Sequence, residues 1–328
     1  MRILITGGAG FIGHHFVEHF IKNTDWDIVV LDRLNYASFG FDRLRDINCF
    51  DDKRISTLTA DFTLPIKNGL AQEIGEVDYI LHLGAETHVD NSIVNPEPFV
   101  MSNVVGTMRM LDFARTLKNL KCFYCFSTDE VMGPAPEGFA GFKEDDRHNP
   151  TNPYAATKSG GEMLCIAYRN TYKLPIVITR TMNNFGERQH PEKFIPMVMR
   201  KVLLGETVTI HANKERTKAG SRFYIHSRNV ADAYLWLINN KFVNQDFHII
   251  GEKEVDNLEM AQFIADTIGK PLRYEMVDFH GSRPGHDLRY ALSGLKLKSL
   301  GYEFPKTFED SLRQTIEWSL QNRRWLGL

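Results

Sequence analysis

Long hydrophobic runs are missing from this chain. Among its 328 residues no apolar stretch approaches the roughly 18 needed to cross a bilayer, which argues against a helical membrane protein. An excess of one charge is missing too. The 39 Lys and Arg nearly balance the 41 Asp and Glu, and a net charge of -2 gives no case for nucleic acid or a membrane surface as partner. Cysteine is scarce: Cys49, Cys122, Cys125 and Cys165 are no disulfide framework for a chain of this size. Cys122 and Cys125 do form a C-x-x-C, but inside Leu120-Lys121-Cys122-Phe123-Tyr124-Cys125-Phe126, which reads as a buried strand. With no second ligand pair, core packing is expected and no metal. Low-complexity tracts and internal repeats are also lacking. Arg2-Ile3-Leu4-Ile5 runs straight into a glycine turn without a signal-peptide pattern, so a cytoplasmic protein is expected.

What is there is an alternation of short apolar runs and helical patterns, the signature of a parallel sheet flanked by helices. Strands are expected at Arg2 to Thr6, Asp27 to Leu31, Val77 to Leu83, Lys121 to Ser127 and Ile176 to Arg180. Helices are expected at Phe11 to Asn23, about Pro98 to Leu117, and Tyr154 to Tyr172. From about Asn183 the rhythm loosens, and Ser227 to Asn239 regains a helical period. The fold class is α/β: a Rossmann-type doubly wound parallel sheet with a smaller mixed α/β substrate-binding region. The expected division is 1–182 with 224–250 packing back onto it, and a second region made mainly of 183–223 and 251–328.

Thr6-Gly7-Gly8-Ala9-Gly10-Phe11-Ile12-Gly13 joins the first strand to the first helix. Gly7, Gly10 and Gly13 allow a tight turn and close backbone approach to a pyrophosphate, and the N–H groups of Phe11, Ile12 and Gly13 open the helix toward that anion. Asp32 follows 19 residues beyond Gly13, where a carboxylate accepts from the adenosine ribose hydroxyls. It would repel the extra phosphate of NADP, although Arg33 beside it works the other way. NAD is therefore the expected cofactor. Asp61, after another short apolar stretch, is a candidate for the adenine, or a turn residue.

Tyr154 and Lys158 stand at i and i+4, on one helix face, where an ammonium can stabilise a phenolate base. Ser127-Thr128-Asp129-Glu130-Val131 ends a strand, at the sheet edge where ligands bind. Two adjacent acids there are either a solvated loop or an acid/base pair.

These pieces resemble the dTDP-glucose 4,6-dehydratase family of extended short-chain dehydrogenase/reductases over nearly the whole chain. The other matching segments are His82-Leu83-Gly84-Ala85-Glu86-Thr87-His88-Val89-Asp90, Asn183-Asn184-Phe185-Gly186, Pro191-Glu192-Lys193-Phe194-Ile195-Pro196 and Arg283-Pro284-Gly285-His286-Asp287. The resemblance implies a lyase of deoxysugar biosynthesis that oxidises C4 of a nucleotide-linked glucose, removes water across C5 and C6, and returns hydride to C6. Tyr154 would act as base at the 4-hydroxyl, Lys158 would hold it anionic and bind the nicotinamide ribose, and Thr128 would orient that hydroxyl. Glu130 would take the C5 proton and Asp129 protonate the departing 6-hydroxyl. His88, Asn184, Lys193, Arg222, Asn257, Arg283 and His286 are the implied substrate contacts. A nucleotide-sugar 4-epimerase or decarboxylase is the alternative, and a non-catalytic NAD-binding regulator the second. Asn91, Met132, Phe185 and the stretch Phe223-Tyr224-Ile225-His226 depart from the family pattern, which leaves UDP-glucose beside dTDP-glucose as substrate. The resemblance also implies a homodimer through a four-helix interface, since the helices over 98–117 and 154–172 carry apolar residues on more than one face: Met101, Val105, Met108, Leu111, Met163 and Ile166.

Overall fold

The computed structural model describes residues 1–279 and 288–328. Its strands are β1 (Arg2–Thr6), β2 (Asp27–Asp32), β3 (Ile55–Thr59), β4 (Tyr79–His82), β5 (Cys122–Thr128), β6 (Ile176–Thr181), β7 (Asn183–Phe185), β8 (Val208–Ala212), β9 (Ser221–His226), β10 (Asp246–Ile249), β11 (Glu254–Asp256) and β12 (Tyr274–Asp278). Seven of them form one sheet in the order β10-β6-β5-β4-β1-β2-β3, with every neighbouring pair parallel. The reason lies in the apolar runs. β1, β4, β5 and β6 are buried on both faces, which only a sheet covered on both sides allows.

Alternate strand residues feed two cores. Ile3, Ile5, Tyr124 and Phe126 pack with Phe16 and Phe20 of the helix Phe11–Asn23 and with Tyr234 and Leu237 of the helix Ser227–Asn239. Leu4, Phe123 and Cys125 turn the other way, onto Met110, Leu111 and Cys165. Each such fully buried aliphatic or aromatic side chain stabilises by about 1.5–3 kcal/mol relative to exposure. Phe16 and Tyr234 meet edge to face with ring centroids 4.9 Å apart, which docks the helix Ser227–Asn239 back onto the first helix. The four cysteines are buried and unpaired.

The remaining strands build a three-stranded sheet, β11-β9-β7, and a parallel pair, β12-β8. With the helices Phe194–Leu204, Asn257–Ile268 and Phe308–Gln321 they enclose a separate core around Phe185, Val198, Ile210, Ile264 and Ile316. No helix among the described residues is long and apolar enough to cross a membrane.

Two elements differ from expectation. The single helix over 98–117 is three pieces: Glu97–Phe99, a wider π-helical turn at Val100–Gly106, and Thr107–Ala114. Close packing accompanies that wider turn, because a Cβ on Gly161 of the neighbouring helix would lie 2.7 Å from Asn103 O and one on Gly106 2.6 Å from the Phe62 ring. The short β10 completes the sheet edge beyond β6; its four residues give too little periodicity to read as a strand.

Beneath the sheet edge, Arg180 on β6 is buried at 2% exposure and ion-paired to Glu162, which is fully buried. Arg180 Nε and Nη2 both donate to Glu162 Oε2, at 2.9 and 2.6 Å, and Nη1 donates to Glu144 O and His248 Nε2. Burial and the neighbouring guanidinium hold His248 neutral, its pKa lowered to about 3. Glu162→Gln leaves Arg180 buried without its anion and should lower the unfolding free energy by about 3–5 kcal/mol in urea titrations, whereas Glu162→Leu with Arg180→Met should cost much less.

Candidate active site

The glycine turn is a backbone surface with no room for side chains. Gly7 adopts φ +70°, and a Cβ there would lie 2.8 Å from Gly84 Cα. A Cβ on Gly13 would lie 2.1 Å from Gly7 O. Gly10 caps the first helix without a side-chain hydrogen bond, so no capping side chain occupies the first-turn N–H groups of Phe11, Ile12 and Gly13. Asp32, at the end of β2, is tied to this turn: its Oδ2 accepts from Ala9 N at 3.1 Å and its Oδ1 from Leu34 N at 2.9 Å. Burial pushes its carboxyl up, partly offset by those two hydrogen bonds. Asp61 follows β3 and lies 3.8 Å from Arg33, which is ion-paired to Glu86. Its Oδ1 accepts from Thr63 N at 2.9 Å, the turn role that a lone aspartate has by default. The donor set, the missing side chains and the carboxylate at the end of β2 fit a dinucleotide.

At the end of β5, Thr128 Oγ1 donates to Asp129 Oδ1 at 2.9 Å. Asp129 is 4% exposed and its Oδ2 has no hydrogen-bond partner among the described residues. Burial raises its pKa to about 6, with the Thr128 hydrogen bond and the charge of Arg222 pulling the other way. Glu130, one residue on, is held differently: its Oε2 accepts from Asn152 Nδ2 at 2.9 Å. Adjacent acids therefore sit in unlike surroundings, as split acid and base roles require.

Asn152 also caps the helix Pro153–Tyr172, accepting from Ala155 N at 2.8 Å. One side chain thus sets Glu130 against the helix that carries Tyr154. Sequence reasoning did not single it out, though Asn before Pro at a helix start is a capping signal. Two further unflagged residues are Asn103, which donates to Glu86 O and Thr157 Oγ1, and His82, whose Nδ1 and Nε2 meet Thr6 Oγ1 at 2.8 Å and Thr107 Oγ1 at 3.2 Å. Burial and the Lys158 charge lower the His82 pKa to about 3.

Tyr154 is 8% exposed beside Thr128 and the two acids. Lys158 shares the helix face but donates to Phe126 O at 2.7 Å. Burial and the Glu130 charge push the Tyr154 phenol well above its ordinary value, with the Thr128 hydrogen bond opposing them.

The expected substrate contacts that are described have local partners of their own. His88 caps the helix Val89–Val94 and lies 4.0 Å from Glu192, which is also 3.9 Å from Lys193. Asn184 donates to Thr181 Oγ1 and Met182 O while its buried Oδ1 has no partner among the described residues. Arg222 Nη1 donates to Ser221 O and Leu288 O, and its guanidinium lies 5.0 Å from the Tyr290 ring centre. Asn257 Oδ1 accepts from Tyr224 Oη at 2.8 Å. Arg283 and His286 lie outside the described residues. Of the departures, Met132 and Phe185 are buried in cores and cannot discriminate a nucleotide directly.

One group of metal-type side chains exists among the described residues: His15, Glu187 and His226, with ligand atoms within 4.8 Å. Its hydrogen bonds explain it without an ion. His226 Nδ1 accepts from Arg228 N at 3.0 Å, so Nε2 carries the proton that it shares with Glu187 Oε2 at 3.1 Å.

Residues 3–250 match the model of the NAD dependent epimerase/dehydratase family. The dTDP-glucose 4,6-dehydratase of Salmonella typhimurium is 35% identical, with 100% of this chain and 95% of that protein covered. The trifunctional UDP-glucose 4,6-dehydratase/UDP-4-keto-6-deoxy-D-glucose 3,5-epimerase/UDP-4-keto-L-rhamnose-reductase of Arabidopsis thaliana is 34% identical, covering 99% of this chain and 48% of that protein. Among solved structures, the dTDP-glucose 4,6-dehydratase DesIV of Streptomyces venezuelae with NAD bound superposes with a TM-score of 0.87 at 35% identity, covering 99% and 98% of the two chains. With the glycine turn, the buried Asp129 and the Tyr154–Lys158 helix in place, these likenesses show that the chain belongs to the NAD dependent epimerase/dehydratase family, and within it to the family of the dTDP-glucose 4,6-dehydratases.

Proposed function

We propose that this protein is a nucleotide-sugar 4,6-dehydratase that converts an NDP-glucose, dTDP-glucose in preference and UDP-glucose as the alternative, to the 4-keto-6-deoxy sugar. The observation that carries the reading is Asp129: a buried carboxyl with a pKa of about 6 and one oxygen without a partner among the described residues, beside an ionisable Glu130 in another environment. Simple oxidation and reduction at C4 has no use for such a pair. Elimination of water needs both.

NAD supplies the hydride acceptor at C4 and the hydride donor at C6. Tyr154 removes the proton of the 4-hydroxyl, with Thr128 between phenol and Asp129 to orient that hydroxyl. The Tyr154 phenol stands high, so it needs an added positive charge to act as base; Lys158, one helical turn on, is the cation on the same face. Once C4 is a ketone the C5 proton is acidic, and Glu130 removes it. Asp129 gives its proton to the leaving 6-hydroxyl, and water departs; when C6 has taken the hydride, Glu130 returns the proton to C5. Arg222, Asn184 and Lys193 of 183–223, with His88 of the first region, would contact the sugar nucleotide; 183–223 and 251–328 would hold it, while 1–182 with 224–250 would hold NAD. Asn257 acts through Tyr224.

Four outward apolar side chains support a homodimer. Val100, Met101, Met163 and Tyr172 are 43%, 42%, 46% and 47% exposed on the two helical segments that flank the site, whereas Leu111 faces the sheet. Pairing these segments about a two-fold axis would make the four-helix interface. Light scattering at micromolar concentration should give twice the chain mass; a monomer removes the dimer.

Incubation with dTDP-, UDP-, CDP- and GDP-glucose should yield a product that has lost the 6-hydroxyl, fastest with dTDP-glucose. In a stopped-flow single turnover, Tyr154→Phe should form almost no NADH. Asp129→Asn should form NADH and then lose water roughly 10²–10⁴-fold more slowly. A product that keeps its 6-hydroxyl, with full activity in both acid variants, would mean an epimerase instead. The pH sign follows from the acid role. Asp129 donates only when protonated, so water loss should be fastest below about pH 6 and fall as the pH rises through that value, and Asp129→Asn should lack this limb.

A further inference from the structure

Arg33 stands directly after Asp32, where an arginine ordinarily receives the ribose 2′-phosphate of NADP. By sequence position alone it opposes the preference for NAD that Asp32 sets. The structure shows what has become of that guanidinium. Its Nη2 is ion-paired to Glu86 Oε1, and its Nη1 lies 3.8 Å from Asp61 Oδ2. Asn35 Nδ2 donates to the same Glu86 oxygen at 3.2 Å. The carboxylates of Glu86 and Asp61 thus flank one cation.

Glu86 is also well anchored. Its N donates to Asn103 Oδ1 at 2.9 Å and its carbonyl accepts from Asn103 Nδ2 at 3.0 Å, so the π-helical turn grips the backbone on both sides. The carboxylate therefore extends from a fixed point at the carboxyl end of β4 across to the end of β2, and the Arg33 and Glu86 side chains are only 26% and 17% exposed. A pair so shielded is little screened by salt.

We propose that Glu86 is a cofactor-specificity residue: by engaging Arg33 it keeps the site around the adenosine ribose anionic and turns a potential 2′-phosphate receptor into part of an NAD site. This rests on the dinucleotide site at the glycine turn.

The test is competition on the NAD-loaded protein, reading the NADP concentration that displaces half of the bound NAD. Wild type should need a large excess of NADP. Glu86→Gln keeps the shape and removes the charge, and should lower that concentration on the order of tenfold, the effect of one unit charge on a nearby phosphate in partly exposed surroundings. NAD affinity should stay within about twofold. Adding Arg33→Met to Glu86→Gln should cancel the gain, since the freed guanidinium would be gone. An unchanged NADP concentration in Glu86→Gln, or a gain that persists in the double variant, overturns the proposal. A wild type displaced equally well by NADP and NAD would overturn the Asp32 assignment itself and is told apart from the first outcome without any variant.

Discussion

In-register parallel pairing of β4, β5 and β6 is the constraint on which the site depends. His82 stands opposite Cys125, Ser127 opposite Arg180, and Thr128 opposite Thr181. All three strands end on one edge, and their last residues are polar where their interiors are not. A slip of one residue would exchange the faces of every side chain, sending Tyr124 and Phe126 out of their core and turning Thr128 away from Tyr154. The two apolar faces therefore fix the positions of the polar tips. Asp129 has its particular burial because Val131 and Met132, just beyond it, are packed into a core of their own with Met182 and Tyr290.

Burial does two kinds of electrostatic work here. Deep beneath the edge, Arg180 and Glu162 are paired with each other, and several further groups complete the donors. At the edge, Asp129 is buried with one oxygen that no described residue satisfies, and the charged form is disfavoured. The same physical cost yields a rigid foundation in one place and a proton donor in the other. The difference is whether a partner was provided.

Much of this was legible in the residues. The glycine spacing, Asp32 and the uninterrupted apolar strands gave the cofactor half of the fold, and Ser227–Asn239 was read to its ends because a strong helical period has few rivals. The catalytic set was partly readable: a Tyr–Lys pair and two acids are weak signals singly, and only their resemblance to a family joined them. What stayed hidden was what depends on contacts distant in sequence. Nothing around Asn103 announces a π-helical turn that reaches Glu86 and Thr157, and nothing at Arg33 announces a partner 53 residues away. The carbonyl that Lys158 reaches, Phe126 O on β5, is another such partner that the sequence around the lysine does not announce. Short strands such as β10 carry too few residues for periodicity to speak.

The chain does not finish one region before starting the next. After β6 it leaves the main sheet to lay down β7, β8 and β9, returns through the helix Ser227–Asn239 to add β10, and departs again into β11. On a ribosome, β6 emerges long before the strand that covers it. Its six residues, Ile176–Thr181, are all buried in the finished molecule, yet for that interval they form an open, apolar sheet edge, and Arg180 waits for His248 and Asp246. Such edges recruit other strands. The period between synthesis of residue 181 and residue 249 is thus when a nascent chain of this protein most needs a chaperone, and a truncation that ends within it would leave a molecule prone to aggregate instead of a smaller working unit.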